Sequence, residues 1–188
     1  TLPQRDLSRT TCVIFDVLRA TSSMTTALAH GAARIVPADS VEHARKMAAG
    51  LPGSLLAGER NRVRIPGFHM GNSPPDFADR RVHRRTIVMA TTNGTKAIHA
   101  VRKARAVFIS SFLNMAATAR AVTAVLRKGG TDLRIVCAGT VTEFSWEDGL
   151  AAGCLAGLVR KALPSEELTD SAMAVCAAYG LNRRGLVR

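Results

Sequence analysis

Short apolar, β-branched runs alternate with longer amphipathic stretches along almost the whole chain. The runs predict strands over 11–15, 34–37, 55–57, 86–90, 106–109 and 133–138. The stretches between and after them predict helices over 22–30, 40–49, 95–102, 115–128, 145–161 and 165–179, with Ser40 as an N-cap and Glu42 in the first turn of its helix. Strand, helix and strand in succession imply crossover connections. The expected class is therefore α/β, a three-layer α/β/α sandwich around a parallel or mixed sheet. A chain of 188 residues can bury one core, so 1–188 is read as a single domain.

Two irregularities stand out. Between 60 and 85 the periodicity lapses and Pro66, Gly67, Gly71, Pro74 and Pro75 accumulate. A loop of that length in a compact domain is usually functional or disordered. The chain also echoes itself. At an offset of roughly 71 residues, 21–40 overlays 92–111, with Ala33-Arg34 on Ala104-Arg105 and Val36 on Val107. A duplicated strand-helix-strand unit is one explanation and chance is the other.

Composition narrows the partner. Hydrophobic residues make up 47% and charged residues 21%, which excludes a disordered chain. No apolar run is long enough to cross a bilayer, and the polar residues 1–11 carry no signal peptide, so no membrane role and a cytoplasmic location are expected. The four cysteines have neither CxxC nor zinc spacing, and all but Cys137 read as buried thiols. The net charge of +12 suits an anionic partner. With 4% aromatic residues and no run of five Lys/Arg, an acidic metabolite is a better expectation than nucleic acid. A homodimer is the assembly considered.

Ligands of α/β sheets bind where strands end and helices begin. There the chain places Asp16-Val17-Leu18-Arg19-Ala20-Thr21-Ser22-Ser23, Gly58-Glu59, Thr91-Thr92-Asn93-Gly94-Thr95-Lys96, Ser110-Ser111-Phe112-Leu113-Asn114 and, after Cys137-Ala138-Gly139, Ser145-Trp146-Glu147-Asp148. Asn72 and Ser73 sit between Gly71 and Pro74 in the irregular stretch. Each loop has a plain structural explanation: an N-cap with an Asp16–Arg19 pair, a capped Asn93-Gly94 turn, or first-turn acids at Glu147 and Asp148. Together, Asp16, Glu59 and Glu147 or Asp148, which could equally face the cleft, beside Arg19, Lys96, Thr21, Thr92 and Asn93 are the inventory for a hard cation and a phosphate, and with the net charge they make a small acidic phosphate monoester the expected partner. No GxxxxGK[ST] loop is present.

In this order, the segments resemble the 2-phosphosulfolactate phosphatase (ComB-like) family. The resemblance runs from about residue 11 to 158 and is carried by Phe15-Asp16-Val17-Leu18-Arg19-Ala20-Thr21-Ser22, Gly58-Glu59-Arg60, Gly67-Phe68 with Gly71-Asn72-Ser73-Pro74, Thr91-Thr92-Asn93-Gly94-Thr95, Ser111-Phe112-Leu113-Asn114, Cys137-Ala138-Gly139 and Glu147-Asp148. It implies a cytoplasmic, Mg2+-dependent hydrolase with a fold of its own. The family's named reaction converts 2-phospho-3-sulfolactate to 3-sulfolactate and phosphate, a step in making coenzyme M. In agreement, no DxDx[TV] motif occurs. Family members run further at the C-terminus, so the basic end 182–188 is expected to be a truncation point. On this footing Asp16, Arg19 and Glu59 are the expected catalytic groups, and Asp16, Glu59 and Asp148 the metal ligands. Thr21, Ser22, Asn72, Ser73, Thr92, Asn93, Gly94, Thr95 and Lys96 are expected to bind substrate. Either a metal-bound water or Asp16 itself could attack, whereas Cys137 lacks an anion-cradling loop. The alternatives are an acidic-metabolite-binding module without turnover and, behind it, a nucleic-acid-binding protein.

Overall fold

The computed structural model describes residues 6–140 and 143–183. Among the described residues there are seven strands and seven α-helices, the six expected of each with one short strand and one short helix added, and the strands form two sheets rather than one. Strand β1 (Thr10–Phe15) is buried throughout and lies between β6 (Ala106–Ser110) and β7 (Asp132–Cys137), parallel to both. The second sheet has the order β2-β5-β3-β4. Strand β5 (Thr86–Ala90) lies parallel to β2 (Arg34–Ala38) and β3 (Leu55–Arg60), and β4 (Val63–Arg64) adds an antiparallel edge.

The internal echo explains the division. Helix α1 (Ala20–Ala29) carries the chain from β1 to β2 in the other sheet, and α4 (Gly94–Ala100) carries it from β5 back to β6 in the first. If β1, β2 and β3 are matched with β5, β6 and β7, each sheet has the same order, with each half supplying the middle strand of one sheet and both flanking strands of the other. The two strand-helix-strand units are interlocked.

Each sheet is sandwiched by helices. Val13 and Phe15 pack with Met115, Val122, Ala151 and Leu155 of α5 (Met115–Arg127) and α6 (Trp146–Ala162). Cys12 and Ile14, pointing the other way, meet Val101 and the underside of α4. In the second sheet, Ile87 and Met89 pack against Met24 and Ala27 of α1 and Phe77 of α3 (Pro74–Phe77), and Val88 and Ala90 face Ala44 of α2 (Val41–Ala49). The α/β/α layering thus holds for each sheet separately.

Two expectations need correction. The stretch 60–85 is ordered: β4, α3 and a 3-10 turn at Arg80–Val82 lie within it, Met70 bridges to Ala57, and Phe68, Phe77 and Val82 are buried. Its order comes from tertiary contact, which leaves no local period. The last helix, α7, spans Asp170–Asn182 rather than 165–179, because the Thr169 hydroxyl accepts the Ala172 N–H and sets the start. Among the described residues no helix is long and apolar enough to cross a membrane.

Candidate functional site

The two middle strands end in matching hydrogen-bond devices. After β1, the Thr21 hydroxyl donates to the Asp16 carbonyl (2.9 Å) and lies 3.2 Å from the Asp16 N–H. After β5, the Thr95 hydroxyl donates to the Thr91 carbonyl and accepts the Thr91 N–H, both at 3.1 Å. The next N–H in each half goes to a distant carboxylate. The Val17 N–H donates to Asp148 Oδ1 at 2.8 Å and the Thr92 N–H to Glu59 Oε1 at 2.7 Å. Asp148, on α6, also ties in the exit of β7 by accepting the Gly139 N–H at Oδ2, and Glu59 ties in the exit of its own strand β3 by accepting the Arg62 N–H at Oε2. Glu59 Oε2 also accepts the Thr92 hydroxyl at 3.0 Å.

The symmetry fails where the chemistry is expected: the first half has Asp16 where the second has Thr91. Asp16 Oδ1 accepts the Ala20 N–H at 3.1 Å, so the carboxylate itself caps α1. Gly94, the first residue of α4, comes so close that a Cβ there would lie 2.6 Å from Asp16 Oδ2 and 2.6 Å from the Ala20 Cβ. Burial raises the Asp16 pKa, the Glu59 charge adds to the rise, and the N–H groups of Ala20, Arg19 and Gly94 oppose it. Burial likewise pushes Asp148 up to about 6. Asp16 is thus a half-buried carboxylate among other carboxylates, and no ion pair compensates it among the described residues.

The expected Asp16–Arg19 pair is not formed. Arg19 instead donates to Ser73 Oγ at 3.0 Å, and the Ser23 hydroxyl holds the Asn72 carbonyl, so the 72–73 loop is drawn against the start of α1. Asp76 braces that loop by accepting the Gly71 N–H. Asn72 is buried, and its Oδ1 is without a hydrogen-bond partner.

Asp16, Arg19, Glu59, Asn72, Ser73, Thr92, Gly94 and Asp148 are therefore linked through one set of loops. Thr21 and Thr95 were expected to touch substrate, but both are wholly buried and bond to the main chain, so they shape the loops instead. Ser22 spends its hydroxyl on the Val17 carbonyl. At the start of α1 the Ala20 N–H donates to the Asp16 carboxylate and the Thr21 N–H to the Asp16 carbonyl. Asn93 is the α4 N-cap without a side-chain cap bond, and Lys96 is exposed. Among the described residues no three His, Cys, Asp or Glu side chains converge as a set that could hold a metal ion. Thr91, named in its loop but outside the expected binding set, is the partner of Thr95; a hydroxyl four residues before another at a strand exit is the signal for that pairing. Burial pushes the Cys137 thiol up to about 12, which leaves it protonated and a poor nucleophile. A cavity of about 720 Å³ between β7, α6 and α7 is lined by Cys137 but by none of Asp16, Arg19, Glu59, Asn72, Ser73, Thr92, Gly94 and Asp148.

A protein-family model described as 2-phosphosulpholactate phosphatase matches residues 1–186. Among curated proteins, the chain is 42% identical over 153 residues to a "Probable 2-phosphosulfolactate phosphatase" of Caldanaerobacter subterraneus subsp. tengcongensis, covering 80% of this chain and 62% of the relative. It is 44% identical over 155 residues to the protein of the same name from Symbiobacterium thermophilum, covering 81% and 65%. It is 36% identical over 190 residues to the Clostridium acetobutylicum protein of that name, covering 100% and 79%. The chain thus spans less than two thirds of the length of the first two relatives.

Proposed function

The chain belongs to the 2-phosphosulfolactate phosphatase family, and from that premise we propose that it is a Mg2+-dependent phosphatase acting on 2-phospho-3-sulfolactate or a related 2-hydroxy-acid phosphate, as in coenzyme M biosynthesis. The observation that carries the reading is Asp16, a carboxylate at the end of a buried strand, raised by burial and by Glu59, with no cation beside it among the described residues. Such a group is costly unless a cation joins it.

The donor chemistry suits Mg2+, a hard cation that takes oxygen ligands and commonly shares one or two carboxylates with water and substrate phosphate. Asp16 would hold it, and the unpartnered Asn72 Oδ1 offers a second oxygen. Glu59 and Asp148 already accept main-chain N–H groups on both oxygens, so their work is to fix the strand exits around Asp16. When bound, the cation supplies Lewis-acid polarisation of the phosphoryl group.

The reaction adds a water oxygen to phosphorus as the bond to the substrate's C2 oxygen breaks. That oxygen leaves with the bonding pair and gains a proton, water loses one, and hydroxy acid and phosphate result. Arg19, held by Ser73 through one N–H, keeps donors for the phosphoryl oxygens, whose charge builds during transfer. The +12 net charge draws an anionic ester towards the protein. Asp16→Asn tests the reading. It should remove phosphate release by at least about a thousandfold, and the thermal stabilisation by Mg2+ with it. Full activity in that variant would contradict the assignment.

A further inference from the structure

We propose that Arg64, on the hairpin that carries Glu59, binds a second anionic group of the substrate and so sets the site's preference for polyanionic phosphate esters; this rests on the phosphatase reading above. The hairpin pairs Glu59 with Arg64 and Arg60 with Val63, leaving Asn61 and Arg62 as its two-residue turn. Both turn residues have positive φ, 53° and 66°, the conformation that a type I′ turn needs. Arginine at the second position is unusual there, because a residue with a Cβ costs about 1 kcal/mol or more in the left-handed region. The Arg62 N–H bond to Glu59 Oε2, at 2.8 Å, holds the turn in place.

This geometry fixes where Arg64 stands. Residues directly opposite in an antiparallel pair share a face, so Arg64 lies on the Glu59 side of the hairpin. Its Cβ is also 3.7 Å from where a Gly71 Cβ would be, against the residue before Asn72 and Ser73. Arg19 reaches the same loop through Ser73. Two guanidinium-bearing residues therefore adjoin the Gly71–Ser73 segment.

Arg64 is also uncommitted. Its cross-strand neighbour is a carboxylate, yet the two form no ion pair, because Glu59 already accepts from Thr92 and Arg62. Among the described residues Arg64 has no salt bridge, and it is exposed. Asp16, Glu59 and Asp148 would by themselves repel an ester that carries a carboxylate or sulfonate besides its phosphate. A free guanidinium at their edge offsets that repulsion, and its planar fork matches either group.

The test compares wild type with Arg64→Ala and Arg64→Lys on two esters: 2-phospho-3-sulfolactate, and p-nitrophenyl phosphate, which has no second anion. Arg64→Ala should raise KM for the sulfonated ester by about 10- to 100-fold, the loss of one charge-assisted pair, while kcat changes by less than about threefold. Both constants for p-nitrophenyl phosphate should stay within about twofold, and lysine should restore part of the loss. Equal losses on both esters, or an unchanged KM for the sulfonated one, overturn the proposal. Binding of 3-sulfolactate by calorimetry separates it from the phosphatase reading. The reading fails if wild type hydrolyses neither ester, but a tenfold weaker 3-sulfolactate affinity in Arg64→Ala still supports Arg64. Equal affinity, or no binding by wild type, overturns it. If Arg64→Ala loses its circular dichroism, Arg64→Gln, which keeps the stem, takes its place in every comparison.

Discussion

Asp148 carries a pH signature that belongs to a single side chain. Burial pushes its carboxyl from 3.8 up to about 6; the N–H groups of Val17 and Gly139 oppose the rise, and the charges of Asp16 and Glu147 add to it. Between about pH 4 and 6 the folded protein keeps a proton there that the unfolded chain has lost. Stability therefore falls as pH rises through that window and levels off above it, by on the order of 3 kcal/mol for this group. Urea unfolding of wild type and Asp148→Asn in Mg2+-free buffer at pH 4 to 7 isolates the effect. The stability difference between the two should drift in favour of the variant as pH rises to about 6. A constant difference would contradict the raised pKa. At the same scale, Gly58 has φ 147°, and a Cβ there would run into the Ala90 carbonyl on the neighbouring strand. Gly58→Ala should cost about 3 kcal/mol or more, read as a lower unfolding midpoint.

Among elements, the matched strand exits make a prediction that neither half makes alone. Thr21 and Thr95 are both wholly buried, and each bonds its hydroxyl to the end of a middle strand. Thr21→Val and Thr95→Val keep the shape and delete the hydroxyl, leaving the N–H of Asp16 or Thr91 without the oxygen that accepts it. Each should cost about 1–3 kcal/mol in denaturant unfolding. A large loss in one and none in the other would show that the resemblance between the exits is not energetic. The strands and most helices were legible because their cues are local: β-branched runs such as 11–15, and a cap such as Ser40, whose hydroxyl accepts the His43 N–H. The 60–85 stretch was not legible, since its order depends on Phe68, Phe77 and Val82 reaching the core rather than on any period. The start of the last helix was not legible, because Ser165 offers the same local cue as Thr169, whose hydroxyl accepts the Ala172 N–H.

For the whole molecule, interlocking is the organising fact. Each half passes its second and third strands to the sheet centred on the other half's first strand, so the exits of β1 and β5 are brought to one set of loops. The sequence echo hinted at the duplication, but strand pairing is non-local and could not be read from it. The site divides the same way. Asp16 was legible as a carboxylate ending an apolar run. The bond from the Val17 N–H to Asp148 joins residues 131 apart, and the spent hydroxyls of Thr21 and Thr95 followed only from burial. Asymmetry between near-equal halves then marks the reactive side: Asp16 stands where the other half has Thr91. The most direct measurement is phosphate release from 2-phospho-3-sulfolactate by this chain, with Mg2+ and again after EDTA. Turnover that needs Mg2+, stops with EDTA and is lost in Asp16→Asn is the predicted result. No release with Mg2+ supplied, or release untouched by EDTA and by Asp16→Asn, would contradict it.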